Sequence, residues 1–513
     1  MHRENKDLLL GIDVGTTGTK CSIYDLNGKI VATAYQDYPM IHKFAGWTEQ
    51  DPDRWWECVC TNLQKCFSAG TVDSSRIAAI GLSCTNAVCL TDADGQVLYN
   101  AIGLHDQRSG AQVAWLAEKV GADRIRSLSA NKLAMGSCAL SSIRWIMDNY
   151  PERIKPGCKF LSPSGFIVKR LTGEFSVSTS RADLACIGNI YTGDLEPDIL
   201  TRAEVPEELL PEVYRANDIV GTVTHIAAEQ TGLAPGTPVT AGSVDTVAAT
   251  LGAGALNNGD LAITIGSSGR LCFVSSKPDF NDKIINAHTI NDNYLLIQTT
   301  NNAGVSLRWF KETFGRAAYS NDELVDDNIF DRINYSVEKS AAGANGMIYL
   351  PYLSGEKSPI WDAAARGVFF NIGLDASFGS FARAVMEGVA FSIRDCAAAV
   401  VTDISGNDRI PLGGGAAKSR IWSQIFADVL GRPIQRLGNS ETETLGDIII
   451  AANAVGLESI PKDFGKTIAA SSETLYPNKE YAAIYDELFL KYKQLYEKLK
   501  PLFGSQTEGT NTY

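Results

Sequence analysis

The most informative feature of this chain is what it lacks. No GxxxxGK[ST] phosphate loop occurs in its 513 residues; the nearest run, Gly465-Lys466-Thr467, has Ile460 where the first glycine is required. No GxGxxG follows a strand-like run, so a dinucleotide fold is unsupported. The five histidines (His2, His42, His105, His225, His288) are isolated, leaving neither a His-metal cluster nor an evident nucleophile–His pair. Eleven cysteines, odd in number and scattered, form no zinc-like pair of pairs and fit reduced cytosolic thiols packed as small hydrophobes. No apolar stretch is long enough to span a bilayer, and the run after Met1 is too short for a signal peptide. A net charge of −13 argues against a nucleic-acid or anionic-membrane partner. These absences imply a soluble cytoplasmic protein whose chemistry runs on carboxylates, backbone amides and a metal ion.

What is present begins at Leu8–Gln36. Two apolar runs flank Gly15-Thr16-Thr17-Gly18-Thr19, and a second turn at Asp25-Leu26-Asn27-Gly28 leads into a third run. Val, Ile and Tyr enrichment with Gly-bearing turns predicts a three-strand antiparallel meander. Glycines let backbone approach a ligand, and successive turn amides form a concave donor cradle for an anion. Asp13 beside such a cradle would repel a bare phosphate, so it fits best as holder of a hydrated Mg²⁺ on that phosphate. An ordinary Gly-Thr hairpin accounts for these residues equally well on local grounds. About half the chain length later, Ala262-Ile263-Thr264-Ile265-Gly266-Ser267-Ser268-Gly269-Arg270 repeats the pattern, with Thr264 in place of Asp13. A duplicated architecture with one phosphate loop per half follows, both loops expected to close on one nucleotide. Apolar content of 45% and charged content of 20% are ordinary globular values, and the length favours two or more domains.

Between these loops, Asp51-Pro52 opens a helix whose buried face starts at the tryptophans Trp55 and Trp56. Ile77–Ser83 reads as a buried strand, followed by Thr85 and Asn86, where α/β folds place ligands. Asp106 and Arg108 suit a polyol hydroxyl, or pair with each other on a surface loop. Residues 110–235 read as helices and polar loops. Pro238–Asp245 reads as a strand closing on a carboxylate at a helix N-terminus; Asp245 is either a capping residue or a base pointing into the cleft between halves. Ile410–Ser419 reads as strand, triple-glycine turn and N-cap, with bare backbone able to accept a flat adenine. Residues 480–499 form an amphipathic helix, and the polar tail from Ser505 is expected to be disordered.

In order along the chain, DVGTTGTK, GWTEQDPDRWW, AGSVDT, IGSSG, LPYLSGEKSP, AVMEGVAF and GGGAAKSRIW resemble the FGGY carbohydrate kinases. The resemblance implies an α/β fold of two ribonuclease-H-like (actin/hexokinase-type ATPase) domains with an interdomain cleft, divided here as 1–250 and 251–513. It implies ATP and Mg²⁺ as cofactors, a small-molecule sugar substrate, and dimerisation as a family expectation. By motif, Asp245 matches the catalytic base and Asp13 the metal-side carboxylate. Gly15, Thr16 and Thr17 match the first phosphate loop, Gly266, Ser267 and Ser268 the second, and Gly414, Gly415 and Ser419 the adenosine segment. Asp106 and Arg108 fall on the Asp and Arg of a Trp-x-Asp-x-Arg substrate element whose Trp is here Leu104. Thr85 and Asn86 occupy the place of a Gln-Met-His-Gly run in xylulose kinases. Substrate-side parts therefore differ while catalytic parts are kept. The GWTEQDP run favours a ketopentose such as xylulose, while the IGSSGR and Asn-Asn-Ala-Gly runs lean towards gluconate; another polyol also stays open. From another class, a non-catalytic actin or heat-shock-70-type nucleotide switch would share the two loops.

Overall fold

Continuous apolar runs make central strands, buried on both faces, and alternating ones make edges. The computed structural model describes residues 6–68, 70, 72–315, 329–400, 409–438, 441–457 and 472–503. In it, Leu8–Val14 is buried almost throughout, whereas Ile30–Asp37 alternates between half-buried and exposed side chains. These two strands flank Gly18–Asp25 in the expected antiparallel meander. Leu8–Val14 also pairs in parallel with Ile77–Cys84, which in turn pairs with Pro238–Thr240. The Gly465-Lys466-Thr467 run and the tail from Ser505 lie outside the described residues.

Two compact units result: Met1–Asn258, Val274–Leu296 and Glu441–Ala470 form one, and Gly259–Phe273, Ile297–Ser440 and Ser471–Tyr513 the other. The units are thus interleaved in sequence. In the second unit, Leu261–Ile265 pairs antiparallel with Gly269–Ser275 and parallel with Ile410–Gly414. This repeats the hairpin-plus-parallel-strand pattern of the first unit, as the duplicated Gly-hydroxyl-hydroxyl-Gly turns imply. Ile434–Arg436 and Glu473–Leu475 extend the second sheet.

The helix Thr442–Ala454 explains the interleaving. It is apolar nearly all round (Leu445, Ile448, Ile449, Ile450) and buried from residue 444 to 452, as such a helix must be. Glycines let it lie against backbone in the first unit. A Cβ at Gly11 would sit 2.5 Å from the Thr444 carbonyl oxygen, and one at Gly81 would sit 2.6 Å from the Asp447 carbonyl carbon. Its own Gly446 faces Ala248 on the helix Asp245–Gly252 with the same lack of room.

One sequence expectation needs correction. Pro238–Asp245 is not a single strand: it breaks at Gly242, whose φ of +77° suits glycine and whose Cβ would clash with Leu82. Ser243–Val244 then re-pairs in parallel with Ser83–Cys84. Asp245 becomes the first helical residue, with Val244 at the cap position and no side-chain capping bond.

Candidate active site

At one edge of the first sheet, register brings the predicted residues together. Asp13 lies opposite Ser83, and Ser83 opposite Ser243, so Asp13, Thr85–Asn86 and Asp245 stand at the C-terminal ends of adjoining parallel strands. Ligands of open α/β sheets bind at such ends. The Gly15-Thr16-Thr17 loop is tied back through its carbonyls. Tyr38 donates its hydroxyl to the Gly15 oxygen (2.5 Å), Gln50 Nε2 donates to the Thr16 oxygen (2.7 Å), and Tyr38 N donates to the Thr17 oxygen (3.1 Å). The Thr16 and Thr85 hydroxyls meet at 2.9 Å. Asn86 donates Nδ2 to the Ser137 carbonyl, while its buried Oδ1 has no partner among the described residues.

Behind the loop the sheet holds a cluster of acids. The Ser83 hydroxyl lies 3.0 Å from Asp13 Oδ1 and 3.2 Å from Asp447 Oδ2. One hydroxyl proton cannot serve two carboxylates, so one of the acids must carry a proton. Burial raises Asp447 well above the usual carboxylate range, and the charge of Asp13 adds to it. A neutral Asp447 donating to Ser83, which donates to Asp13, satisfies the geometry. Burial, then the charges of Glu443 and Asp245, push Asp13 itself up to about 8. Burial also raises Glu443, and Asp245 contributes to that shift. Ser83, Glu443 and Asp447 went unread in the sequence. Their one signal was an acid inside an otherwise apolar helix, TLGDIII, since buried charge asks for a function or a partner.

In the second unit, Gly266 N donates to the Ser268 oxygen (2.9 Å). The start of the Gly304–Phe310 helix braces this loop, with Ala303 N bonded to the Ser267 oxygen (3.1 Å) and Gly304 N to the Gly266 oxygen (2.9 Å). Gly414 sits beside Ile265, the residue before the loop, with φ +77° and no space for a side chain. Gly415 is its neighbour, so the Gly266-Ser267-Ser268 loop and the glycines share one strand-end edge. Ser419 caps the helix Arg420–Leu430, accepting from Trp422 N (3.2 Å) and donating to Asn334 (2.8 Å).

Asp106 and Arg108 do not sit on a surface loop. Arg108 donates Nε to Asp106 Oδ1 (2.9 Å), Nη2 to Asp106 Oδ2 (2.7 Å) and Nη1 to Glu49 Oε1 (2.7 Å), and its guanidinium covers Trp47 at 3.7 Å. Asp106 Oδ2 also accepts from Thr48 N (2.6 Å). Although burial opposes it, hydrogen bonds from Arg108 and Asn100 hold Glu49 below the ordinary carboxylate range. The polar atoms of the pair are thus engaged in fastening the Trp47-Thr48-Glu49 segment.

Residues 8–252 match the FGGY family of carbohydrate kinases, N-terminal domain, and residues 261–455 match the C-terminal domain. The chain belongs to the FGGY family of carbohydrate kinases. This FGGY kinase is 30% identical to the xylulose kinase of Bacillus subtilis over 507 residues, covering 96% of this chain and 97% of that one. It is 26% identical to the gluconokinase of Bacillus licheniformis over 499 residues, covering 96% and 94%. Among solved structures, gluconate kinase from Lactobacillus acidophilus superposes with TM-score 0.86 at 26% identity, covering 97% of this chain and 99% of that one. Xylulose kinase from Rhodospirillum rubrum gives 0.85 at 27%, with the same coverage. The fold is that of the actin/hexokinase-type ATPases, and the FGGY kinase is an enzyme, which removes the non-catalytic switch. No described helix is long and apolar enough to cross a membrane.

Proposed function

We propose that this kinase transfers the γ-phosphate of ATP to a hydroxyl of a small polyhydroxy substrate, with Asp245 as the base. The observation that carries this reading is the placement of Asp245: first in its helix, on the strand end next to Thr85–Asn86, and close enough to Asp13 for its charge to raise the Asp13 carboxyl. As the hydroxyl oxygen bonds to the γ-phosphorus, Asp245 accepts its proton. Because the transition state is loose, orientation counts for more than basicity. Gly15, Thr16 and Thr17, and separately Gly266, Ser267 and Ser268, are proposed to hold phosphate oxygens. Gly414, Gly415 and the Ser419 turn are proposed to face the adenosine, Ser419 through backbone, since its hydroxyl serves the cap. Asn86 Oδ1, buried and unpartnered, is proposed to accept from a substrate hydroxyl, and Thr85 to hold the neighbouring loop through Thr16. Asp106 and Arg108 are proposed to shape the substrate side indirectly.

The residues fit a Mg²⁺ ion at Asp13. Burial, then the charges of Glu443 and Asp245, disfavour its charged form, and a hard dication would favour it. Among the described residues no three His, Cys, Asp or Glu side chains form a protein-only cage. That suits an ion usually held by one or two carboxylates, waters and substrate phosphates. When bound, the ion would offset charge developing on the transferred group. Overall identity supports a ketopentose such as xylulose first; the gluconokinases support an aldonate. Ten of the eleven cysteines are buried and all are free, in keeping with a cytoplasmic enzyme.

The test is acceptor-dependent ADP release by the wild type and Asp245→Asn. A base of this kind contributes about 10²–10⁴-fold, so turnover should fall by that factor with nucleotide affinity held. Retained turnover would remove Asp245 from the role.

A further inference from the structure

Arg181 lies on the short helix Thr179–Leu184 of the first unit and is 2% exposed. Among the described residues neither its Nε nor its Nη1 has a hydrogen-bond partner. A guanidinium stays charged at any working pH, and a buried charge without a partner is among the costliest groups a fold can carry. Such a group asks for an explanation, and an absent ligand is one of the few available.

Its surroundings say which ligand. Val244 N donates to the hydroxyl of the preceding residue, Ser180 (3.2 Å), which pins this helix to the strand end that delivers Asp245. The ionisable groups that the Arg181 charge faces are Cys84, Asp245 and Cys138. Cys84 ends the strand that leads into Thr85–Asn86. Its thiol donates to Ser164 (3.3 Å), and burial drives its pKa up, so it supplies no negative charge. Cys138 Sγ donates to the Ala185 carbonyl (3.3 Å). Arg181 therefore lies within electrostatic reach of the two strand ends assigned to the acceptor, with donors to spare. A neutral sugar offers only uncharged oxygens to these donors, beside the charge of Asp245. A carboxylate supplies both acceptor atoms and charge.

Resting on the kinase reading of the same site, we propose that Arg181 binds a carboxylate of the acceptor, which makes the substrate a polyhydroxy acid of the aldonate class. This reverses the order that overall identity suggests. Asn86 Oδ1 accepts from one acceptor hydroxyl, and Asp245 takes the proton of the reacting one. That oxygen bonds to the γ-phosphorus, the bond from phosphorus to the β,γ-bridging oxygen breaks, and ADP leaves with the electron pair.

The experiment measures ADP release with five- and six-carbon aldonates and with neutral ketoses of equal chain length, for wild type, Arg181→Met and Arg181→Lys. Calorimetric titration of the aldonates without nucleotide runs beside it. The wild type should favour an aldonate. Arg181→Met should lower the aldonate-to-ketose ratio of kcat/KM by about 10- to 100-fold, mainly through KM, the usual worth of hydrogen bonds to a charged group. Its Tm should hold or rise, because an unpaired buried cation is removed, and Arg181→Lys should regain part of the aldonate affinity. A wild type that favours neutral ketoses overturns the inference. So does an equal loss for both acceptor classes with a fallen Tm, or absence of calorimetric aldonate binding. Aldonate binding that needs Arg181 but drives no ADP release overturns the kinase reading and leaves the role of Arg181 standing.

Discussion

Gly446→Ala sets two physical effects against each other. Gly446 lies inside the helix Thr442–Ala454, where alanine is favoured over glycine by about 1 kcal/mol of intrinsic propensity. Judged locally, the change stabilises. The opposing effect comes from the helix Asp245–Gly252. A Cβ at residue 446 would lie 2.7 Å from the Ala248 Cα, and nearer still to its carbonyl, against 3.4 Å or more for ordinary contacts. The helices must part by at least about 0.7 Å, with backbone rather than a swinging side chain as the wall. Overpacking of this kind costs about 1–3 kcal/mol, occasionally more. With backbone on both sides the upper end applies, so the net loss should be about 2 kcal/mol. For a unit of this size that is a fall in Tm of roughly 3 °C. The displaced helix begins with Asp245, and a misplacement near 1 Å costs about 10²-fold in rate. Thermal unfolding and acceptor-dependent ADP release check both parts. A Tm equal to or above wild type, with unchanged turnover, would refute the close approach of these helices.

Two other substitutions test separate parts of the structure. Burial pushes the Glu356 carboxyl up to about 8 from 4.5, opposed by hydrogen bonds from Asn301 N and Lys357 N. The folded chain therefore binds more protons than the unfolded one between those values, and stability falls as pH rises through that window, by at most about 1.4 kcal/mol per pH unit. Glu356→Gln keeps an acceptor oxygen and removes the slope, so urea unfolding should find the variant matching wild type near pH 5 and exceeding it near pH 8. Arg108→Ala leaves Asp106 buried without its cation and Glu49 with only the half-exposed Lys43 at 3.5 Å, which should cost about 3–5 kcal/mol, with Arg108→Lys a poor substitute for the planar fork. A stable Arg108→Ala enzyme with a raised acceptor KM alone would make Arg108 a direct binder instead.

The hairpins at Gly15 and Gly266 were legible because glycine and hydroxyl turns between β-branched runs leave few alternatives. The strand-end position of Asp245 was legible for the same reason, but not the break at Gly242, which depends on how closely Leu82 passes. Local sequence left Asp106 and Arg108 undecided between a ligand and each other; their neighbours Glu49, Thr48 and Trp47 come from a distant stretch. The acids behind Asp13 could not be tied to it from sequence, because Glu443 and Asp447 reach it only through a helix more than four hundred residues away along the chain. The orphaned nitrogens of Arg181 are a property of packing and leave no trace in its local sequence.

The distance along the chain between Asp13 and Asp447 also shapes how the molecule comes into being. A ribosome adding about 5–20 residues per second releases the Gly11 and Gly81 strands some tens of seconds before the segment that fits their notches. Until then the nascent first sheet shows a bare glycine-lined furrow and an acid at Asp13 without its relay. That furrow is filled only by one of the last segments translated.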